Sequence, residues 1–184
     1  AVALIVVPLA LVTVLFERGA ADADDSATIA TAVTIYGLGL PAFVLQKILQ
    51  PLYFAREDTR RPFYFALVAM VVHAGRAVGL APVVGWIAPA IATTIAGWAM
   101  LACLAIGARR SGAAATFDVR FHGRIWRVLV ASVMMGIALG LSNVALQPFL
   151  GIPWWRGLTL LVLIAIGMVS YFGIGQLIGA FRLS

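Results

Sequence analysis

Apolar residues are grouped along this chain into six long runs, separated by short polar segments. Strands of a membrane barrel are about ten residues long and alternate in polarity, and these runs do neither. Because a backbone inside lipid must satisfy its own hydrogen bonds, each run is predicted to form a helix. The pattern predicts an all-α integral membrane protein with six transmembrane helices, at 1–16, 28–54, 63–80, 86–107, 125–146 and 157–180.

The first run differs from the others in its length. A membrane-spanning helix needs about 20 residues, and run 1–16 is shorter and begins without methionine. We therefore expect the chain to be a piece of a longer protein. The second run is long enough to cross with tilt or a kink, since Pro41 and Pro51 interrupt helix hydrogen bonding.

Basic residues are concentrated in the polar segments, and their distribution predicts how the chain is oriented in the membrane. Segment 51–62, PLYFAREDTRRP, is basic and lies between the second and third runs. Short arginine-rich loops stay in the cytoplasm, and six alternating helices place most arginines on that one side. The loops at 17–25 and 147–155 are then predicted to lie outside the cytoplasm. Four tryptophans at predicted span ends fit an interfacial belt: Trp86, Trp126, Trp154 and Trp155.

Composition supports lipid as the surrounding medium. Of the 184 residues, 63% are hydrophobic and 11% are charged, against about 45–50% and about 25% in soluble domains. The net charge of +6 comes mostly from residues in short loops, so it predicts membrane orientation and no nucleic-acid partner.

The polar residues of the sequence do not form a recognisable catalytic or metal-binding pattern. All seven carboxylates lie outside the apolar runs, and Cys103 is the single cysteine. His73 and His122 are far apart and lack partners at metal-ligand spacing. We predict no catalytic residues, no metal, no cofactor and no enzymatic activity.

Lys47 is the charge that lies within the second run, about 10 Å along the helix axis from Phe54. Two interpretations stay open: its ammonium snorkels to the cytoplasmic headgroups, or it faces a polar cavity and attracts an anionic group such as a phosphate. Gln46 and Gln50 are four residues apart on an adjoining face. Lys47, Gln46 and Gln50 are the candidate substrate-binding residues.

Two further polar positions lie in the third and fourth runs. His73 and Arg76 share a helix face. Arg76 is expected to reach the outer interface, while His73 is either a packing residue or a proton relay. Thr93 and Thr94 are expected to bond either to their own helix carbonyls or across to a neighbouring helix.

Specific strings add to this picture. The chain carries LFERGA at 15–20 and YGLGLPAFVLQKILQPLYFAREDTRRP at 36–62. With these it resembles the lipid II flippase family MurJ, also called MviN, of the MOP exporter superfamily. Segments 85–98 and 126–136 resemble the twelfth and thirteenth helices of that family. The matching residues are Lys47, Pro51, Tyr53 or Phe54, Arg56, Asp58, Thr59 and Pro62.

The resemblance implies helices nine to fourteen of a fourteen-helix MOP-type transporter. Residues 1–110 would be the last four helices of its C-terminal lobe, 111–124 a cytoplasmic connector, and 125–184 an extra helix pair with a hydrophobic groove for a polyprenyl tail. It further implies translocation of lipid-linked peptidoglycan precursor across the bacterial inner membrane by alternating access. The implied partners are that precursor, membrane lipids and an N-terminal lobe of the same protein.

One position departs from the family pattern. The resemblance implies a candidate cation site at His73 and Thr93, but Ala77 has no ligating side chain where family members often have one. We therefore expect weak or no sodium dependence. Two other functions remain open: export of another polyprenyl-linked saccharide, and a non-transporting membrane scaffold.

Overall fold

The computed structural model describes residues 1–16, 23–109, 119–150 and 154–179, and every regular element in these ranges is a helix. This confirms the all-α class. Seven α-helices and one 3₁₀ turn (Gly85–Ile87) follow one another: α1 Val2–Val6, α2 Pro8–Phe16, α3 Ala23–Phe54, α4 Arg60–Val84, α5 Ala88–Arg109, α6 Val119–Leu150 and α7 Arg156–Leu177.

By length and composition, four stretches of the described residues qualify to cross a membrane. One of them, Arg60–Arg109, contains both α4 and α5. The membrane class is therefore supported, and the count of six crossings stays a prediction. The four stretches are Asp24–Phe54, Arg60–Arg109, Ile125–Leu150 and Arg156–Leu177.

The helix bounds differ from the predicted runs at several ends. Run 1–16 is two helices, because Pro8 has no amide hydrogen and starts α2. The third run was expected to end at Leu80, yet α4 continues through Pro82 to Val84. It ends where Gly85 adopts a left-handed φ of 59° and donates its N–H to the carbonyl of Ala81.

α3 is a continuous helix of 32 residues despite Pro41 and Pro51. Three threonine hydroxyls in its first part donate to the carbonyl four residues earlier, from Thr28, Thr31 and Thr34. Such bonds satisfy polar side chains within an apolar helix. Most of the predicted loop 17–25, residues 111–118 of the predicted connector 111–124, and the side chains of Arg110, Arg120, His122, Arg124 and Arg182 lie outside the described residues. The rest of the predicted connector belongs to α6, which begins at Val119.

The chain divides into two compact units. The first contains Ile35–Thr116, and therefore the second part of α3 with α4 and α5. The second contains Val2–Thr34 and Phe117–Ser184. The first unit has a buried cluster of Ala42, Leu49, Tyr53, Leu101, Leu104 and Ala108. The second has a buried cluster of Val7, Ala10, Leu139 and Leu163.

Small residues let the helices of the second unit approach one another. A Cβ on Gly136 would lie 2.8 Å from Cγ1 of Val2, so α1 packs directly against the backbone of α6. A Cβ on Gly167 would lie 3.3 Å from Cδ2 of Leu139, which brings α7 against α6. These contacts are the close helix approach that a G-x-x-x-G pair such as Gly136 and Gly140 permits. The assignment of residues 1–110 to one lobe of a whole transporter stays a prediction.

Candidate functional site

In the first unit, two side chains of α5 donate hydrogen bonds to the backbone of α3. Thr94 Oγ1 donates to the carbonyl of Ile35 at 2.9 Å. Trp98 Nε1 donates to the carbonyl of Leu38 at 3.1 Å. Because Pro41 weakens hydrogen bonding in this part of α3, outside donors are well placed here.

Two side chains of α3 donate hydrogen bonds to backbone carbonyls of α5. Gln46 Nε2 donates to the carbonyl of Gly97 at 2.6 Å. Tyr53 Oη donates to the carbonyl of Leu104 at 2.5 Å. Hydrogen bonds across helices join them specifically where apolar packing alone has no preferred partner. The four bonds span the paired length of α3 and α5 and hold the two helices in one register.

The predicted substrate-binding residues occupy three different environments on α3. Gln46 is 7% exposed, and its amide is already bonded to α5. Gln50 is half-buried, one turn further along. Lys47 is exposed, and no hydrogen bond or ion pair to it occurs among the described residues. Of the three, Lys47 is therefore the one that presents a charge at the surface of the unit.

The basic segment after α3 is a tight turn. The carbonyl of Tyr53 accepts the amides of Arg56 at 3.0 Å and Asp58 at 3.1 Å. The Asp58 carboxylate accepts the amide of Arg61 at 3.2 Å and pairs with Arg61 Nε at 3.1 Å. An acidic group in this place stabilises the first turn of α4. The turn reverses the chain between α3 and α4 with few residues.

The predicted cation site is less polar than its residue types indicate. Thr93 Oγ1 donates to the carbonyl of Pro89 at 2.7 Å, within its own helix. Thr94 is the threonine that reaches a neighbouring helix. His73 is half-buried in α4. Within the described ranges, no group of three or more His, Cys, Asp or Glu side chains comes together to hold a metal.

The second unit contains an apolar groove of about 240 Å³. Its walls come from α1, α2, α6 and α7, and they include Ala3, Leu11, Met135, Leu139, Gly167 and Phe172. The family resemblance implies a groove formed by the helix pair in 125–184 and names no lining residue, whereas α1 and α2 also line this groove. Leu139 and Gly167 are the pair whose contact sets the distance between α6 and α7 at its floor.

Two arginines join the ends of α6 and α7. Arg127 Nη1 donates to the carbonyl of Gly179, just past the last residue of α7, at 3.2 Å. Arg156 Nε donates to the carbonyl of Leu150, the last residue of α6, at 2.9 Å. A helix end carries unpaired carbonyls and a partial negative charge, so each arginine satisfies the end of the partner helix.

Sequence reasoning did not assign roles to Tyr53, Trp98 or these two arginines. A tyrosine or tryptophan within an apolar run is a usable signal, because each has a donor that must find an acceptor when it is buried. The identity of the acceptor depends on helix register, which no local pattern contains.

These features define an all-helical membrane protein. Its first unit has a cationic residue, Lys47, on an apolar helix, and its second unit has an apolar groove among its helices. A sequence model of the family described as "Lipid II flippase MurJ" matches residues 1–173. The chain belongs to this family, whose members are membrane transporters and not enzymes.

Individual relatives agree with the family assignment. The chain is 36% identical over 176 residues to a protein of Rhizobium tropici, covering 92% of this chain and 32% of that protein. It is 34% identical over 198 residues to a protein of Rhizobium meliloti, covering 100% and 35%. A Vibrio cholerae protein is 31% identical over 179 residues, covering 96% and 34%. Each is named "Probable lipid II flippase MurJ", and the chain spans about a third of their length.

Proposed function

We propose that this chain is the C-terminal part of a flippase that moves lipid II, the lipid-linked peptidoglycan precursor, across the bacterial inner membrane. The family match over residues 1–173 is the observation that carries the proposal. Translocation proceeds by alternating access, and it needs the N-terminal lobe of the same protein together with these helices.

Six membrane crossings fit this function, one of them formed by α1 and α2 together. Helix lengths support separate crossings by α4 and α5, which measure about 37 Å and about 33 Å at 1.5 Å per residue. Each length exceeds the hydrocarbon core of about 30 Å. With six crossings, the turn that contains Arg56, Arg60 and Arg61 lies in the cytoplasm.

Lys47 is the proposed contact for the phosphate groups of the substrate. Its ammonium is exposed on the surface of the first unit, about 10 Å along α3 from Phe54. Gln50 adds polar surface on the adjoining turn. Gln46 orients α3 through its bond to Gly97 and does not need to touch the substrate.

The test is rescue of cells depleted of their own lipid II flippase by the full-length gene that encodes this chain. We expect the unchanged gene and Lys47→Arg to rescue, and Lys47→Ala to fail although its protein reaches the membrane in normal amount. Rescue by Lys47→Ala would instead support the snorkelling interpretation. Failure of the unchanged gene, with the protein abundant in the membrane, would favour an exporter of another polyprenyl-linked saccharide or a scaffold.

The apolar groove of the second unit suits the polyprenyl tail of such a substrate. Its lining carries almost no polar surface, so a hydrocarbon chain loses no hydrogen bond on entering it.

Sodium coupling through His73 and Thr93 is expected to be weak or absent. The Thr93 hydroxyl is bonded to Pro89, and Ala77 has no oxygen to offer. Arg76 shares the face of His73 and disfavours a second positive charge nearby. Transport in vesicles should continue when sodium is replaced by potassium, and a requirement for sodium would contradict this.

A further inference from the structure

Arg76 lies deeper in its helix than the hydrophobic pattern indicates. The predicted run ends at Leu80, four residues and about 6 Å beyond Arg76. α4 in fact continues to Val84, which places Arg76 eight residues and about 12 Å from the helix end. Trp86, which is 54% exposed, follows that end and is the type of residue that lies at a membrane interface.

The surroundings of Arg76 are open. The side chain is exposed, and no hydrogen bond or ion pair to it occurs among the described residues. Two nearby glycines border empty space, because a Cβ at Gly75 or Gly79 would meet no atom within 4 Å. Val78, two residues along, is 75% exposed. This part of α4 thus presents a charged side chain on a surface of small and apolar residues.

A guanidinium cannot avoid its charge by losing a proton. Arginine within a membrane span is therefore costly in contact with lipid, and such residues usually face a protein interior or a water-filled cavity, where they pair with an anion or with backbone carbonyls. No carboxylate of this chain lies inside an apolar run. An anion that pairs with Arg76 would then come from outside these helices.

We propose that Arg76 is a second anion-binding residue, which receives a phosphate group of the lipid-linked substrate in the outer half of the membrane. This inference rests on the proposed flippase function. Arginine is suited to the role because its planar fork binds two phosphate oxygens at once.

The positions of Lys47 and Arg76 support two successive binding positions. The turn between Phe54 and Arg60 places the ends of α3 and α4 at the same membrane face. Lys47 is about 10 Å from that end, and Arg76 is about 24 Å from it. The two cations therefore differ in depth by about 14 Å, so a phosphate group that moves from Lys47 toward the outer leaflet approaches the depth of Arg76.

The first test measures lipid II translocation by the full-length protein in vesicles, with Arg76→Ala, Arg76→Lys and Val78→Ala. Val78→Ala is the matched control, on the same exposed part of α4. Arg76→Ala should slow translocation at least about tenfold, as expected when a charge-assisted hydrogen bond is removed. Arg76→Lys should retain most of the rate, and Val78→Ala should be unchanged. If Arg76→Ala translocates normally, the role of Arg76 is refuted and the flippase function stands.

A second test separates charge from folding and the substrate from an internal ion pair. In Arg76→Cys, with Cys103 and any other cysteine replaced, a thiol reagent that adds an ammonium group should restore translocation. A neutral reagent of the same size should not, and lipid II should slow the modification of the cysteine. Restoration by the neutral reagent, or absence of protection by lipid II, would overturn the proposal. An unchanged protein that inserts but does not translocate lipid II overturns the flippase function and this inference together.

Discussion

Replacing Gly107 with alanine tests how closely α3 and α5 approach each other. A Cβ at Gly107 would lie 2.5 Å from Tyr53 Oη and 3.1 Å from Cζ of Phe65, well inside the roughly 3.5–4.0 Å of favourable carbon contacts. Tyr53 is held by its bond to Leu104 and by an edge-to-face contact with Phe65, with ring centroids 6.1 Å apart. The new methyl group must displace both rings.

Three terms contribute to the predicted loss of stability. Overpacking costs about 1–3 kcal/mol. Loss of the interhelical bond costs about 0.6 kcal/mol, the average in a membrane protein. Alanine recovers about 0.5–1 kcal/mol relative to glycine in a helix. The net expectation for Gly107→Ala is a destabilisation of about 2 kcal/mol.

A double-mutant cycle with Tyr53→Phe attributes that loss to the named contact. Tyr53→Phe removes the closest atom, so Gly107→Ala should cost about 1 kcal/mol less in this background than in the original chain. Unfolding of the 184-residue chain in detergent, followed by circular dichroism, measures each term. Gly79→Ala is the control, because its Cβ enters open space, and it should be neutral or slightly stabilising. Effects that add within about 0.5 kcal/mol would refute the contact.

Two further predictions concern other hydrogen bonds. Gln46→Leu should destabilise the chain by about 0.6 kcal/mol, with an upper limit of about 1.7 kcal/mol, while Gln50→Leu should have a smaller effect in the same unfolding measurement. Equal effects would contradict the role of the bond to Gly97. Arg127→Ala should cost about 0.3–1 kcal/mol, the range for a cation at a helix end, and should speed amide hydrogen exchange in the last turn of α7. Unchanged exchange there would show that the bond to Gly179 contributes nothing.

The apolar pattern predicted helix type and approximate position well, because a backbone in lipid has few alternatives to helix. It was less accurate at helix ends. The third run was predicted to end at Leu80, before Pro82, although α4 contains that proline and ends at Val84. Proline is a strong stop signal in water but a weaker one in a membrane helix, where neighbouring groups replace the lost bond. This four-residue difference changed the depth assigned to Arg76.

The hydrogen-bond partners of polar side chains could not be predicted from local sequence patterns. Thr93 and Thr94 are adjacent and chemically identical, yet one bonds its own helix and the other bonds α3. Only the rotation of α5 against α3 distinguishes them. For the same reason, the bond from the Gln46 amide to Gly97 could not be inferred from its position beside Lys47. Sequence placed these residues on a helix, and tertiary packing decided their partners.

The arrangement of the first unit has a consequence for how a substrate would move. α5 is hydrogen-bonded to α3 through four side chains, and α4 packs along α5. Lys47 on α3 and Arg76 on α4 therefore lie on two helices that both contact α5. Their separation in depth of about 14 Å stays constant if the unit moves as a rigid body. If the unit moves in the alternating access proposed above, Lys47 and Arg76 do not approach each other. In the proposed flippase, a phosphate group would leave one cation before it binds the other, so we expect Lys47→Ala to abolish rescue and Arg76→Ala to slow translocation at least about tenfold.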